Sequence, residues 1–222
     1  MIPKIFFQTS KRPPTKFLKY LIKKRLGPDW NYIHFDDIQM IEFIVKNPIE
    51  GLENVLLKLD KMSGAHKADI FRYYFLYLNG GFFMDSDAMI YENIEKIIAD
   101  VDFISVNSTC HPGSIFQGII GANLGSQIIK EALFKAYETD LEYIKSDYHI
   151  FCKQLFKIVQ SNHKNKIRLL KEHRPNSMGD IITDEQNNIF FKHYWKRKKI
   201  FFIYEYILLV KFSLNNVIKN RF

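Results

Sequence analysis

Two kinds of hydrophobic pattern alternate along this chain. Short apolar runs closed by turn residues predict buried strands at residues 2–8, 31–35, 82–84, 102–106 and 115–120; the first, IPKIFFQ, ends in Thr-Ser and then Pro13-Pro14. Between such runs the apolar spacing changes to three and four. Phe17, Leu18, Leu21 and Ile22 follow that spacing in a helix over 15–26 that Gly27-Pro28 stops, Asp36-Asp37 caps a second over 38–46, and 126–138 and 147–160 are periodic enough to be helices. The clearest stretch is 63–91. Ser63 is a good N-cap, Ala68, Phe71, Phe75 and Leu78 make the buried stripe of a helix, and Asn79-Gly80-Gly81 ends it before the strand Phe82-Phe83-Met84. Strands interleaved with helices predict an α/β sheet, and no repeat or convincing linker divides it.

The strand 82–84 runs directly into Asp85-Ser86-Asp87. Alternate side chains of a strand share a face, so both carboxylates can reach one cation. Such a pair suits Mn²⁺ or Mg²⁺, hard ions that take carboxylate oxygens and leave positions open for phosphate. No Lys or Arg follows within the next eight residues, so the pair calls for a cation from elsewhere. It also lies at the carboxyl end of its strand, where open α/β sheets bind ligands. In the preceding helix Asp69 and Arg72 stand three apart and off the apolar stripe. As a surface ion pair they contribute only about 0–1 kcal/mol; leading into the corner that presents the acidic pair, they are expected to wall a polar substrate pocket.

Composition narrows the class. With 222 residues, 47% of them hydrophobic, and only ten glycines and seven prolines, the chain can fill one core and is neither disordered, collagen-like nor a disulfide scaffold. No apolar run reaches the roughly 18 residues of a membrane span, and MIPKIFFQTSKRPP lacks the features of a signal peptide, so a cytoplasmic location is expected. Cys110 and Cys152, 42 residues apart without CxxC spacing, are expected as free thiols rather than a bridge or zinc site.

The net charge of +8 is concentrated at one end. Residues 1–191 hold 24 Lys+Arg against 23 Asp+Glu, whereas residues 192–222 hold eight against the single Glu205. A near-neutral body with a basic, aromatic end argues against nucleic acid and for an anionic surface. Lys196, Arg197, Lys198 and Lys199 precede an apolar stretch from Ile200 to Phe212, interrupted only by Glu205 and Lys211. The expected organisation is a catalytic domain over 1–195 and a basic, apolar C-terminal helix over 196–222. That helix either packs on the sheet or lies on the inner face of a membrane as a peripheral anchor.

The segment Ala68-Asp-Ile-Phe-Arg-Tyr-Tyr-Phe-Leu-Tyr-Leu-Asn-Gly-Gly-Phe-Phe-Met-Asp-Ser-Asp resembles the signature of family 32 glycosyltransferases, in which Asp and Arg, a Gly-Gly corner and a DxD pair follow in this order. Ile2-Pro3-Lys4-Ile5 with Gln8-Thr9 resembles that family's opening strand. The resemblance implies a GT-A fold, a Rossmann-like mixed sheet flanked by helices, and sugar transfer with retention from a nucleotide-sugar donor to a glycan or lipid-linked acceptor, with Mn²⁺ or Mg²⁺ as cofactor. It implies that Asp87 binds the metal directly, Asp85 the metal shell and the donor, Asp69 and Arg72 the donor's hydroxyls and phosphate side, and Phe7, Gln8 and Thr9 the nucleotide. It further implies a C-terminal residue completing the site, for which His193 is the candidate. Where the family often carries His and Trp after the first strand, this chain has Phe7 and Ser10, which leaves the base open: a UDP-sugar is favoured, GDP-mannose the alternative. Two other classes compete. A haloacid-dehalogenase-like phosphohydrolase also has DxD after an apolar strand, but here Ala88-Met89 follow and about 80 residues precede it; a non-catalytic membrane- or RNA-binding module leaves the buried approach to Asp85 and Asp87 unexplained.

Overall fold

The computed structural model describes residues 1–162, 164–176 and 179–194. In chain order the elements are β1 (Ile5–Thr9), α1 (Lys16–Leu26), β2 (Asn31–Phe35), α2 (Asp37–Lys46), α3 (Val55–Asp60), α4 (Gly64–Asn79), β3 (Gly81–Met84), β4 (Ala88–Ile90) and α5 (Glu95–Ile98). There follow β5 (Phe103–Asn107), β6 (Ile115–Ala122), α6 (Gln127–Glu138), α7 (Leu141–Ser146), α8 (Ile150–Ser161), β7 (Ile167–Asn176), β8 (Gly179–Thr183) and β9 (Ile189–Tyr194). The α/β class and the mixed sheet flanked by helices, expected as a GT-A fold, are the architecture formed.

Local chemistry starts the helices where the sequence predicts. The Thr15 hydroxyl accepts from Leu18 N–H, Ser63 from His66 N–H, and Asp36 forms a full capping box with Gln39. In α4 the expected stripe is too narrow. Ala68 and Leu78 are only half-buried, whereas Ile70, Phe71, Tyr73, Tyr74, Phe75 and Leu76 are all buried, because the helix lies between the sheet and α6 and hides most of its circumference.

Nine strands form one sheet in the order β2-β1-β3-β6-β5-β7-β8-β9-β4. The pairs β1/β2, β1/β3 and β5/β7 are parallel and the rest antiparallel. Two apolar layers cover it. Phe7 and Phe83 join the layer under α2, α4, α6 and α8, while Phe6, Phe82 and Met84 join the opposite layer with α1 and α5, the strand alternation of a sheet covered on both faces.

One feature of the order positions the site. β3 and β4 are consecutive in the chain, joined only through Asp85-Ser86-Asp87, yet β6, β5, β7, β8 and β9 lie between them in the sheet. The sheet therefore curls until its far edge returns beside β3. The acidic turn bridges the gap, and β9 arrives alongside it.

Candidate active site

The acidic turn is held from three sides. Asp85 N–H donates to the Gly118 carbonyl (2.8 Å), and the Asp85 carbonyl accepts from Ala88 N–H (3.0 Å) and from Gln8 Nε2 (3.1 Å). Gln8 is in turn fixed by Tyr32, whose hydroxyl donates to its Oε1 at 3.0 Å. The approach from α4 depends on glycine. At Gly81, φ is +106° and a Cβ would sit 2.5 Å from the Ile5 carbonyl oxygen, so only glycine lets the chain turn directly against β1. At Gly118 a Cβ would stand 2.6 Å from Asp85 Oδ2 and 2.3 Å from the Phe116 ring, so β6 must be bare there for the carboxylate to fit.

Asp69, Arg72 and Asp85 meet as one cluster. Arg72 Nη2 lies 3.1 Å from Asp69 Oδ1 and 3.4 Å from Asp85 Oδ1, Nη1 donates to the Gln117 carbonyl, Nε donates to the Ala68 carbonyl, and the guanidinium stacks 4.2 Å over the Phe83 ring. Arg72 is 5% exposed. The pair is thus not the surface ion pair of the alternative reading but a buried one that ties α4 to the acidic turn and to β6, and both residues line a polar cleft, as expected. Burial pushes the carboxyls of Asp69 and Asp85 upward, opposed in both by the Arg72 charge.

The second carboxylate of the pair looks the other way. Asp87 Oδ1 lies 3.4 Å from His193 Nε2 in β9, and the Phe116 ring packs 4.8 Å from the imidazole. His193 stands opposite Ala88 in β4 and opposite Asp180 in β8. Burial draws the imidazole pKa down, but Asp87, Asp85 and Asp180 together outweigh it, so the net shift is upward. Asp85, Asp87 and His193 each offer a ligand atom within 4.8 Å of the others. Two carboxylates and an imidazole form a donor set that fits a divalent cation, the carboxylate oxygens being those that suit Mn²⁺ or Mg²⁺.

A cleft of about 350 Å³ is lined by Asp69 and Arg72 from α4, by Thr9, Asp85, Ser86, Asp87, Phe116, Gln117 and Gly118 on the sheet side and by Tyr148, His149 and Cys152 at the start of α8. Thr9 therefore reaches the cleft, but its expected companions do not. Phe7 is fully buried among Phe35, Phe75 and Phe83, and Gln8 spends both ends of its amide inside the protein; neither ring nor amide is available to a nucleotide. The strand alternation that brings Thr9 to the cleft turns Phe7 into the core. Sequence reasoning missed Gln117, Gly118, Tyr148, His149 and Cys152. The interruption of the apolar run 115–120 by Gln117-Gly118 was a legible signal for two of them; the α8 residues had none. Both cysteines are free thiols, and burial pushes Cys152 up to about 12.

Lys196, Arg197, Lys198 and Lys199, with the expected C-terminal helix, lie outside the described residues. Among the described residues no helix is long and apolar enough to cross a membrane.

Residues 17–104 match the family described as glycosyltransferase sugar-binding region containing DXD motif. The matched span holds Asp69, Arg72, Asp85 and Asp87 and ends before Gln117, Asp180 and His193. No curated protein matches. Among solved structures, the PaToxG glycosyltransferase superposes with a TM-score of 0.48 at 15% identity, over 72% of this chain and 70% of that one.

Proposed function

We propose that this chain is a retaining, metal-dependent glycosyltransferase that moves a hexose or N-acetylhexosamine from a nucleotide-sugar, UDP-linked in preference to GDP-mannose, to a saccharide or lipid-linked glycan, as in capsular polysaccharide or lipopolysaccharide synthesis. The observation that carries it is the meeting, in one cleft, of the Asp69–Arg72–Asp85 cluster with Asp87, against which His193 stands at 3.4 Å. When bound there, a divalent cation would supply charge stabilisation for a departing diphosphate.

The chain's own residues then divide the work. Asp87 and His193 would hold the cation with Asp85 at its edge. Arg72 lines the cleft but is almost fully buried and paired with both carboxylates, so it acts by keeping Asp69 and Asp85 ionised and in place, and its charge stabilises a leaving diphosphate. Asp69 and Asp85 accept hydrogen bonds from the donor's hydroxyls. Each cleft carboxylate is engaged, Asp69 and Asp85 by Arg72 and Asp87 by His193, which favours attack of the acceptor hydroxyl from the face the diphosphate leaves over a covalent glycosyl-enzyme. The basic block at 196–199 would hold the enzyme at an anionic membrane surface, where a lipid-linked acceptor is presented.

The test is a panel of UDP- and GDP-sugars with and without Mn²⁺, read by thermal shift and by release of nucleoside diphosphate. A donor at about 100 times its dissociation constant stabilises by about 2.7 kcal/mol. Hydrolysis or transfer that needs Mn²⁺ and disappears in Asp87→Ala supports the proposal; Mn²⁺-dependent hydrolysis of a simple phosphomonoester, with no effect of any nucleotide-sugar, replaces it with a phosphohydrolase.

A further inference from the structure

His193 Nε2 faces Asp87, a residue of the cleft wall, and its other ring nitrogen is turned toward Asp180. Nδ1 is enclosed by protein and makes no hydrogen bond, while Asp180 Oδ2 stands 3.8 Å from it, roughly 1 Å beyond a charge-assisted bond. The two residues are directly opposed on the antiparallel pair β8/β9, where side chains on one face sit about 5 Å apart at Cβ. Asp180 is itself 3% exposed, and its other oxygen accepts from Arg174 Nε at 3.0 Å. A carboxylate carried into a sheet at this depth is costly without partners. One oxygen accepts from Arg174, and the imidazole Nδ1 stands beside the other.

A metal-bound imidazole needs its distant nitrogen protonated and its ring held at a set angle, and a carboxylate behind it commonly does both. Resting on the proposed cation site, we infer that Asp180 is a positioning residue: held by Arg174, it fixes the His193 ring with the proton on Nδ1 and the lone pair of Nε2 directed at the cation shared with Asp85 and Asp87. The line Arg174–Asp180–His193–Asp87 thereby ties the antiparallel end of the sheet to the acidic turn. A competing use for Asp180 is visible. Its carboxylate also comes within 4.8 Å of ligand atoms on Cys110 and Glu172. Glu172 Oε2, however, already accepts from Ser108 Oγ and from the N–H groups of Thr109 and Cys110, which commits that oxygen to the loop after β5.

The experiment is Mn²⁺ titration of the full chain by electron paramagnetic resonance, in the native protein and in Asp180→Asn, Asp180→Ala, His193→Ala and the Asp180→Asn/His193→Ala double variant. Ring ¹⁵N shifts of His193 report its tautomer without metal, and far-UV circular dichroism checks that each variant is folded. The expected results are one Mn²⁺ per chain, a 10- to 100-fold weaker affinity in both Asp180 variants, no further loss when Asp180→Asn is added to His193→Ala, and a move of the proton from Nδ1 toward Nε2 in Asp180→Ala. An affinity within twofold of native in the Asp180 variants, an undiminished effect of Asp180→Asn without His193, or a second Mn²⁺ lost with Asp180 overturns the assignment. If the native chain takes up no Mn²⁺, the cation reading itself fails, and the tautomer measurement alone upholds or overturns the action of Asp180 on His193. Should an Asp180 variant not fold, Arg174→Ala leaves the carboxylate in place but unanchored, and a loss of Mn²⁺ affinity of the same sign is expected; unchanged affinity counts against the assignment.

Discussion

The two carboxylates of the acidic turn, one residue apart in sequence, occupy different electrostatic settings. Asp85 belongs to a buried cluster with a guanidinium at its centre, in which Arg72 answers Asp69 and Asp85 together and anchors itself on two carbonyls and an aromatic face. Asp87 belongs to an outer cluster with the His193 imidazole, which Asp180 approaches from the other side. The inner cluster carries its own counter-ion and is part of the fold. The outer one gathers negative charge around a titratable ring. One short motif thus joins a structural ion cluster to the proposed cation site.

The most severe way to break the comparison is to remove the centre of the inner cluster. Arg72→Met should leave Asp69 and Asp85 without their buried partner and lower stability by about 3–5 kcal/mol, measured by urea denaturation. Asp87→Asn should change stability by no more than about 0.5 kcal/mol, as for a substitution outside the core, yet remove Mn²⁺ binding and Mn²⁺-dependent turnover. Equal stability losses in the two variants would erase the distinction.

Smaller changes sharpen it. Gly118→Ala places a methyl against Asp85 Oδ2 and the Phe116 ring and should cost about 1–3 kcal/mol through overpacking, with Mn²⁺ affinity reduced as the carboxylate is displaced; a thermal melt with and without Mn²⁺ reads both. Tyr32→Phe removes the hydroxyl that steadies Gln8 and should cost about 1 kcal/mol, with a modest loss of Mn²⁺ affinity because the Asp85 carbonyl loses a fixed donor. The last expectation is an absence of effect. With its pKa pushed up to about 12 by burial, the Cys152 thiol stays protonated below that pH, so at pH 8 roughly one in 10⁴ is thiolate. Iodoacetamide should leave it unmodified in the folded protein, and rapid labelling would show that the α8 wall of the cleft opens.

Much of the inner cluster was legible in the sequence, and little of the outer one. Asp69 and Arg72 share a helix face by spacing alone, and the Gly-Gly corner and apolar strand between them and Asp85 are local patterns whose geometry follows from helix and strand periods. Phe7 and Gln8 show where such reading stops, since the family pattern marks the strand but not which of its faces opens to the cleft. His193 could be named only through the resemblance, and Asp180 not at all. The strand that carries Asp180 is paired on both sides, and β7 beside it is rich in charged residues, Arg168, Lys171, Glu172 and Arg174 among them, so the apolar alternation that betrays a strand is missing there.

By itself the sequence determined the helices α1, α2, α4 and α6, the strands β1, β2, β3, β5 and β6, and the order in which helix, glycine corner and acidic pair follow one another, because each is set by interactions within a few residues. Only the tertiary structure decided which side chains face one another across the cleft. That depends on the curl of a nine-stranded sheet, which returns β9 to the turn after β3 over more than a hundred residues of chain, and on the register of β8 against β9, where a shift by one residue would turn His193 and Asp180 to opposite faces.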